Sequence, residues 1–281
     1  MKRLSIRKGQ LALLAASPPC QGFSTLRTYN GSYHVEDPGN DLIFEIINYV
    51  QAMKPKAIMI ENVPALAKDN RINVFCRKLH SIGYQTTLNV FNAVDYGVPQ
   101  RRKRMILLAG RYGIIEFAKP YPFRKTVRKA LQGLPLPANS SDPLHKCLEK
   151  QSKRIKALIK RIPKNGGSRM DIGMKHQLEC HKRFNGFKDV YGRMGWDDVA
   201  PTITTGCINP SKGRFLHPEQ DRAITLREAA LLQTFPDGYF FPSDRGRYPV
   251  AKMIGNALPP KFVKQHAKAV LRYFKKYAKN I

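Results

Sequence analysis

Leu11-Ala12-Leu13-Leu14-Ala15-Ala16-Ser17-Pro18-Pro19-Cys20 and, further along, Ala57-Ile58-Met59-Ile60-Glu61-Asn62-Val63-Pro64 decide the fold. Each is a short apolar run stopped by proline. Runs that are apolar without alternation read as strands buried on both faces, the pattern of parallel sheets. Between them Leu42, Ile43, Ile46, Ile47 and Val50 recur at helical spacing, and Pro55 closes that helix. The result is a β-α-β unit. A helix around Val74 to Ile82, a strand near Thr86 to Asn92 and a strand from Met105 to Ala109 continue the alternation, which predicts a doubly wound α/β sheet.

The chain has 281 residues, enough for one large domain or one with an insert. Its net charge of +29 favours a polyanionic partner and exceeds what a small acidic ligand requires. Five cysteines without a C-x-x-C pair exclude a disulfide framework and a zinc ribbon, and point to a reducing compartment, the cytoplasm. No apolar run approaches the roughly 18 residues of a membrane span, and the apolar stretch behind Met1-Lys2-Arg3 is too short for a signal peptide. From about Tyr112 to Asn209 the periodicity dissolves into Pro-, Gly- and Lys-rich sequence, predicting an inserted region. Within it, Lys146 to Lys164 carries eight basic residues against Glu149 alone. Order returns at Leu226 to Leu232. Val263, Ala267, Val270, Leu271, Phe274 and Ala278 then predict an amphipathic C-terminal helix with lysines on its other side. The predicted divisions are 1–111, 112–209 and 210–281.

Cys20 stands just past the carboxyl end of the first strand, where open α/β sheets place their ligand crevice. It is the candidate nucleophile, provided nearby positive charge favours the thiolate. A buried structural cysteine is the alternative. Glu61 occupies the same position on the next strand, where a carboxyl group can exchange a hydrogen bond or proton with a ring nitrogen. A helix-capping or ion-paired glutamate is the other reading. Gln100-Arg101-Arg102-Lys103-Arg104 precedes a third strand, and alternation predicts Arg102 and Arg104 on one side. Their forked donors suit a carbonyl or phosphate, although a plain basic loop has the same composition.

Taken in order, Pro19-Cys20-Gln21, Glu61-Asn62-Val63, Gln100-x-Arg102-x-Arg104, Arg227-Glu228-Ala229-Ala230 with Leu232-Gln233-Thr234-Phe235-Pro236, and Ile254-Gly255-Asn256-Ala257 resemble the DNA (cytosine-5) methyltransferase family. The resemblance spans almost the whole chain. It implies a Rossmann-like doubly wound methyltransferase sheet with an inserted target-recognition region. It implies methyl transfer from S-adenosylmethionine to C5 of a cytosine in duplex DNA, through a covalent bond between Cys20 and C6 of the flipped base. Glu61 matches the residue that holds N3 and the exocyclic amine. Arg102 matches the one that contacts O2, with Arg104 behind it. Gly22 to about Asn40 matches a loop that closes over DNA. The stretch from about 112 to 209, including Tyr191 to Thr205, matches the target-recognition region. Pro19, Asn256, Ala257 and Leu258 match positions near the cofactor.

The chain also departs from the family pattern. The usual opening strand with its F-x-G-x-G-G turn is missing, Ala12 stands where an acidic residue is usual, and only 19 residues precede Cys20. About three N-terminal strands are therefore expected to be absent, which would leave Leu11 to Ala16 as an uncovered edge and the C-terminal helix without its partner. A separate polypeptide supplying the cofactor-binding half, a truncated remnant that only binds DNA, and a start upstream of Met1 are three ways to account for this. A lone chain is expected to aggregate and to hold the methyl donor weakly. A tRNA cytosine-5 methyltransferase remains an alternative within the family. A metal site built from His145, Cys147, His176, Cys180 and His181 matches no common zinc spacing, so no metal is expected.

Overall fold

The computed structural model describes residues 6–19, 41–146, 150–182 and 188–278. Cys20, the Gly22–Asn40 stretch and Cys147 lie outside the described residues. Four strands are present among them, β1 (Leu13–Ala16), β2 (Ala57–Asn62), β3 (Gln85–Asn92) and β4 (Lys103–Gly110). The longer helices are α1 (Leu42–Met53), α2 (Asn70–Ser81), α3 (Lys153–Arg161), α4 (Leu226–Leu232), α5 (Arg247–Asn256) and α6 (Pro260–Lys276). The chain forms two compact units. Unit 1 is 1–92, 103–119 and 264–281, and unit 2 is 93–102 and 120–263.

Unit 1 is the sheet and its coverings. The strand order is β1-β2-β4-β3, with β1 and β2 parallel and β4 antiparallel to both its neighbours. The alternation of elements foretold the sheet but not the reversal at β4. A short connection from β3 to β4 permits antiparallel pairing without a crossover helix. One face of the sheet carries Ile58, Ile60, Met105, Leu107 and Ala109, which pack with α1 and α2 through Ile43, Ile47, Val50, Phe75 and Leu79. Helix α1 ends where Lys54 turns left-handed at φ 44° and returns its N–H to Val50, immediately before Pro55. Asp69 caps α2 by accepting from the Arg71 N–H.

The opposite face is covered by the part of α6 that belongs to unit 1 and by the 111–118 segment. The His266 ring meets Phe91 at 5.2 Å and Phe117 at 6.4 Å, and the Tyr273 hydroxyl accepts from the Tyr112 N–H at 2.8 Å. The C-terminal helix therefore has a partner after all. Its buried stripe is Phe262, Gln265, His266, Ala269, Val270 and Tyr273, rotated from the stripe predicted by apolar spacing, and Leu271 is 53% exposed. Strand β1 differs from the rest of the sheet. Among the described residues it pairs on one side only, Ala15 is exposed, and Leu13, Leu14 and Ala16 are half-buried.

Unit 2 has its own core, in which Met194, Ile203, Phe215, Leu226, Leu232, Val250 and Ile254 are buried together. The 210–263 segment thus shares a compact unit with 120–209. Thr225 and Glu228 cap α4 reciprocally, side chain to backbone, which fixes its start.

Candidate active site

Parallel pairing places Ala16 opposite Ile60, so the chain past β1 runs alongside the end of β2. There the Asn62 side-chain amide donates to the carbonyl of Pro18 at 3.1 Å. Pro19, the last described residue before Cys20, is exposed. Glu61 faces Ile106 of β4 across the ladder, and Arg104 lies two residues before Ile106 on the same face. This diagonal lets the Arg104 guanidinium reach Glu61, Nε to Oε1 at 2.8 Å, with the two side chains 16% and 14% exposed. A carboxylate and a forked cation thus sit together at the carboxyl end of β2, within unit 1.

Arg102 does something else. It precedes β4 and belongs to unit 2, where it is 3% exposed. Its two terminal nitrogens donate to the carbonyls of Ile203 at 3.0 Å and Gly255 at 2.9 Å. The expectation that Arg102 and Arg104 share one side of a strand therefore gives way to a division between them. Arg102 is bonded to backbone carbonyls, and Arg104 is the arginine paired with the carboxylate.

Unit 2 binds its motifs together through buried amides. Gln100 accepts from the Ile203 N–H at 2.9 Å and donates to Gln233 Oε1 at 3.0 Å, and Gln233 donates to the carbonyl of Ile254 at 2.6 Å. Pro99 to Arg101 pairs in parallel with Ala200 through backbone bonds in both directions. Gly255 allows this closeness, because a Cβ there would meet backbone atoms of Thr204 and Thr205 at 2.3 and 2.4 Å. Sequence reasoning named Gln100 and Gln233 only as parts of motifs. The buried, side-chain-to-side-chain partnership had no local signal.

Arg227 and Glu228 are likewise anchors. Arg227 pairs with Asp142 and donates to the Tyr239 carbonyl, while Arg222 grips both Glu228 oxygens at 2.7 and 2.6 Å. Burial alone would push the Glu228 carboxyl up, but the Arg222 guanidinium outweighs it and holds the group below the usual carboxylate range. Burial pushes the Cys207 thiol up to about 12, an inert state. His145 is buried, with its ring nitrogens taken by Thr225 Oγ1 and the Pro135 carbonyl. No group of three potential metal ligands occurs among the described residues. Nor is any helix among them long and apolar enough to cross a membrane.

Comparison with known proteins identifies the family. Residues 2–272 match the family model of the C-5 cytosine-specific DNA methylases, and the chain belongs to that family. The Type II methylase M.HgiDII of Herpetosiphon aurantiacus is 36% identical over 280 residues, a match that covers 94% of this chain and 77% of that protein. The Type II methyltransferase M1.BsuMI of Bacillus subtilis is 31% identical over 265 residues, covering 92% of this chain and 61% of that protein. A DNA modification methyltransferase encoded within an E. coli prophage has the same fold at a TM-score of 0.62 and 21% identity, over 94% of this chain and 79% of that one. S. pombe Dnmt2 does so at 0.52 and 18%, over 94% and 78%.

The family's methyl donor is S-adenosylmethionine. Asn256, exposed at the end of α5, and the half-buried Ala257 and Leu258 after it carry no carboxylate. Pro19 adds none, and Ala12 stands at the approach to β1. The described candidate residues therefore do not fit the whole donor, since ribose and adenine find no anionic anchor among them.

Proposed function

We propose that this protein methylates C5 of cytosine in duplex DNA, in the reducing setting of the cytoplasm, with S-adenosylmethionine supplying the methyl group. A second polypeptide holds the nucleoside part of the donor and adds its strands beside β1. The Glu61–Arg104 pair at the carboxyl end of β2 carries the reading. The Cys20 thiolate adds to C6 of the flipped base, forming the Sγ–C6 bond. The C5=C6 electron pair then moves onto C5, and N3 draws density from the ring through its contact with Glu61. Arg104 turns its remaining donors to O2, where charge develops. Arg102 keeps Ile203 and Gly255 in place instead of touching the base. The one-sided pairing and the exposure of β1 support the second polypeptide, because a parallel sheet strand is ordinarily covered and paired on both sides. The basic, irregular part of unit 2 is the target-recognition region.

The test is covalent trapping on duplex DNA bearing 5-azacytosine. Its ring nitrogen in place of C5 makes C6 accept a thiolate without prior methyl transfer. The wild-type protein should give an adduct that Cys20→Ser abolishes, and methyl transfer to ordinary duplex should require the polypeptide encoded immediately upstream. Absence of any adduct would leave a remnant that only binds DNA. Trapping on tRNA but not on duplex would make RNA the substrate.

A further inference from the structure

Unit 2 contains a cavity of about 420 Å³ that none of the motifs accounts for. Lys150 and Lys156 approach it from the start of α3, Arg247 from the first turn of α5, and Ile208, Ile224 and Leu226 form its apolar floor. Arg222 and Asp221 also line it, but both are committed elsewhere. Arg222 is bound to Glu228, and Asp221 is held by Lys164 and Arg193. Lys150, Lys156 and Arg247 make no ion pair with any described residue. Three cations lining one cavity without an ion-paired partner raise its positive potential. The beginnings of two helices, α3 and α5, flank the same cavity, so their dipoles add positive potential. Gly246, the residue before α5, provides no side-chain cap.

We propose that this cavity is a phosphate subsite in which Lys150, Lys156 and Arg247 grip the backbone of the DNA duplex. The proposal rests on the reading of the protein as a DNA-modifying enzyme and deepens it. A phosphodiester is the anion a chain of this charge meets on such a substrate, and backbone contacts position a duplex without reading its sequence. The three contacts should displace counter-ions in proportion to their number.

The experiment measures duplex affinity against salt by fluorescence anisotropy, using two unrelated sequences. Each neutralised phosphate contact contributes about 0.9 to the slope of log K against log salt. The triple variant K150Q/K156Q/R247Q should therefore lose about 2 to 3 from the slope, equally on both sequences. Between 50 and 200 mM salt the wild-type affinity should fall about 40-fold more than that of the variant. The charge-preserving K150R/K156R/R247K should keep the wild-type slope. Lys150 and Lys156 are exposed, so K150Q and K156Q singly preserve the fold, and each should remove about 0.9. An unchanged slope in the single and triple variants overturns the proposal. Inorganic phosphate and a nucleoside monophosphate are the competing arms. Saturation of the wild type by either at micromolar concentration, with duplex binding untouched by the substitutions, would assign the cavity to a free phosphate ligand and overturn the duplex assignment. Absence of a 5-azacytosine adduct in the wild type would sink the methylation reading while leaving the salt slope to be read, which keeps the two failures distinct.

Discussion

Replacing Arg102 and Arg104 one at a time by methionine separates a fold-holding arginine from a substrate-facing one. Arg102→Met removes two hydrogen bonds from a charged donor and leaves the buried carbonyls of Ile203 and Gly255 without it. An unsatisfied buried polar group costs about 1–3 kcal/mol, so the loss should be about 3 kcal/mol in total, after allowing for relief of burying the cation. With an unfolding entropy of about 2.1 cal/mol/K per residue, a chain of this length should lose about 5 °C in Tm. Arg104→Met instead breaks a pair whose members retain some solvent access, worth under about 1 kcal/mol, or under about 2 °C. Its cost falls on catalysis. One charged hydrogen bond to the base is worth about 1.5–3 kcal/mol, which corresponds to trapping of 5-azacytosine duplex slowed about 10- to 150-fold. Differential scanning fluorimetry and timed denaturing gels read the two quantities on the same samples. Slow trapping with unchanged Tm in the Arg102 variant, and normal trapping in the Arg104 variant, would refute the division.

Further outcomes follow from the same geometry. Gly255→Ala should lower the yield of folded protein and cost more than 3 °C in Tm, because its Cβ meets rigid backbone of Thr204 and Thr205. Burial disfavours the charged forms of His217 and His266 and takes both to about 4. The folded state therefore binds fewer protons than the unfolded one between about pH 6.5 and 4. Stability should be complete above 6.5 and decline as the pH falls through that window, and chemical denaturation in His266→Phe should show a shallower decline. Ala15→Lys, on the exposed side of β1, should change the stability of the isolated protein by no more than about 0.5 kcal/mol. On the proposed two-polypeptide reading it should weaken complementation at least about tenfold in a methyl-transfer titration, since a lysine on an edge strand disfavours burial of that strand under added structure.

The β-α-β unit was legible because α1 and its flanking strands are built from apolar runs whose period is local. The reversal at β4 was not, since Met105 to Ala109 reads the same in either direction and only the ladder to β2 decides. The C-terminal stripe misled for a related reason. Gln265 and His266 sit inside the buried face, and apolar spacing passes over polar residues that an aromatic pocket has made acceptable. At the site, Glu61 and the arginine cluster were visible as residue types. Which arginine met the carboxylate was invisible, because it depends on Ile203 and Gly255, far away in the chain, capturing Arg102.

The reversal at β4 also bears on how the sheet comes into being. Strands β3 and β4 are joined by a short connection, whereas β1 must find β2 across the long stretch that contains α1. Closing the larger loop costs more chain entropy, and the contact that repays it is a short strand bonded on one side. The sheet should thus assemble from its antiparallel end, with β1 docking last and undocking first. In hydrogen exchange, β1 amides should open well below the global unfolding free energy while β4 remains closed. An edge that opens this readily can exchange its pairing without unfolding the rest of the sheet.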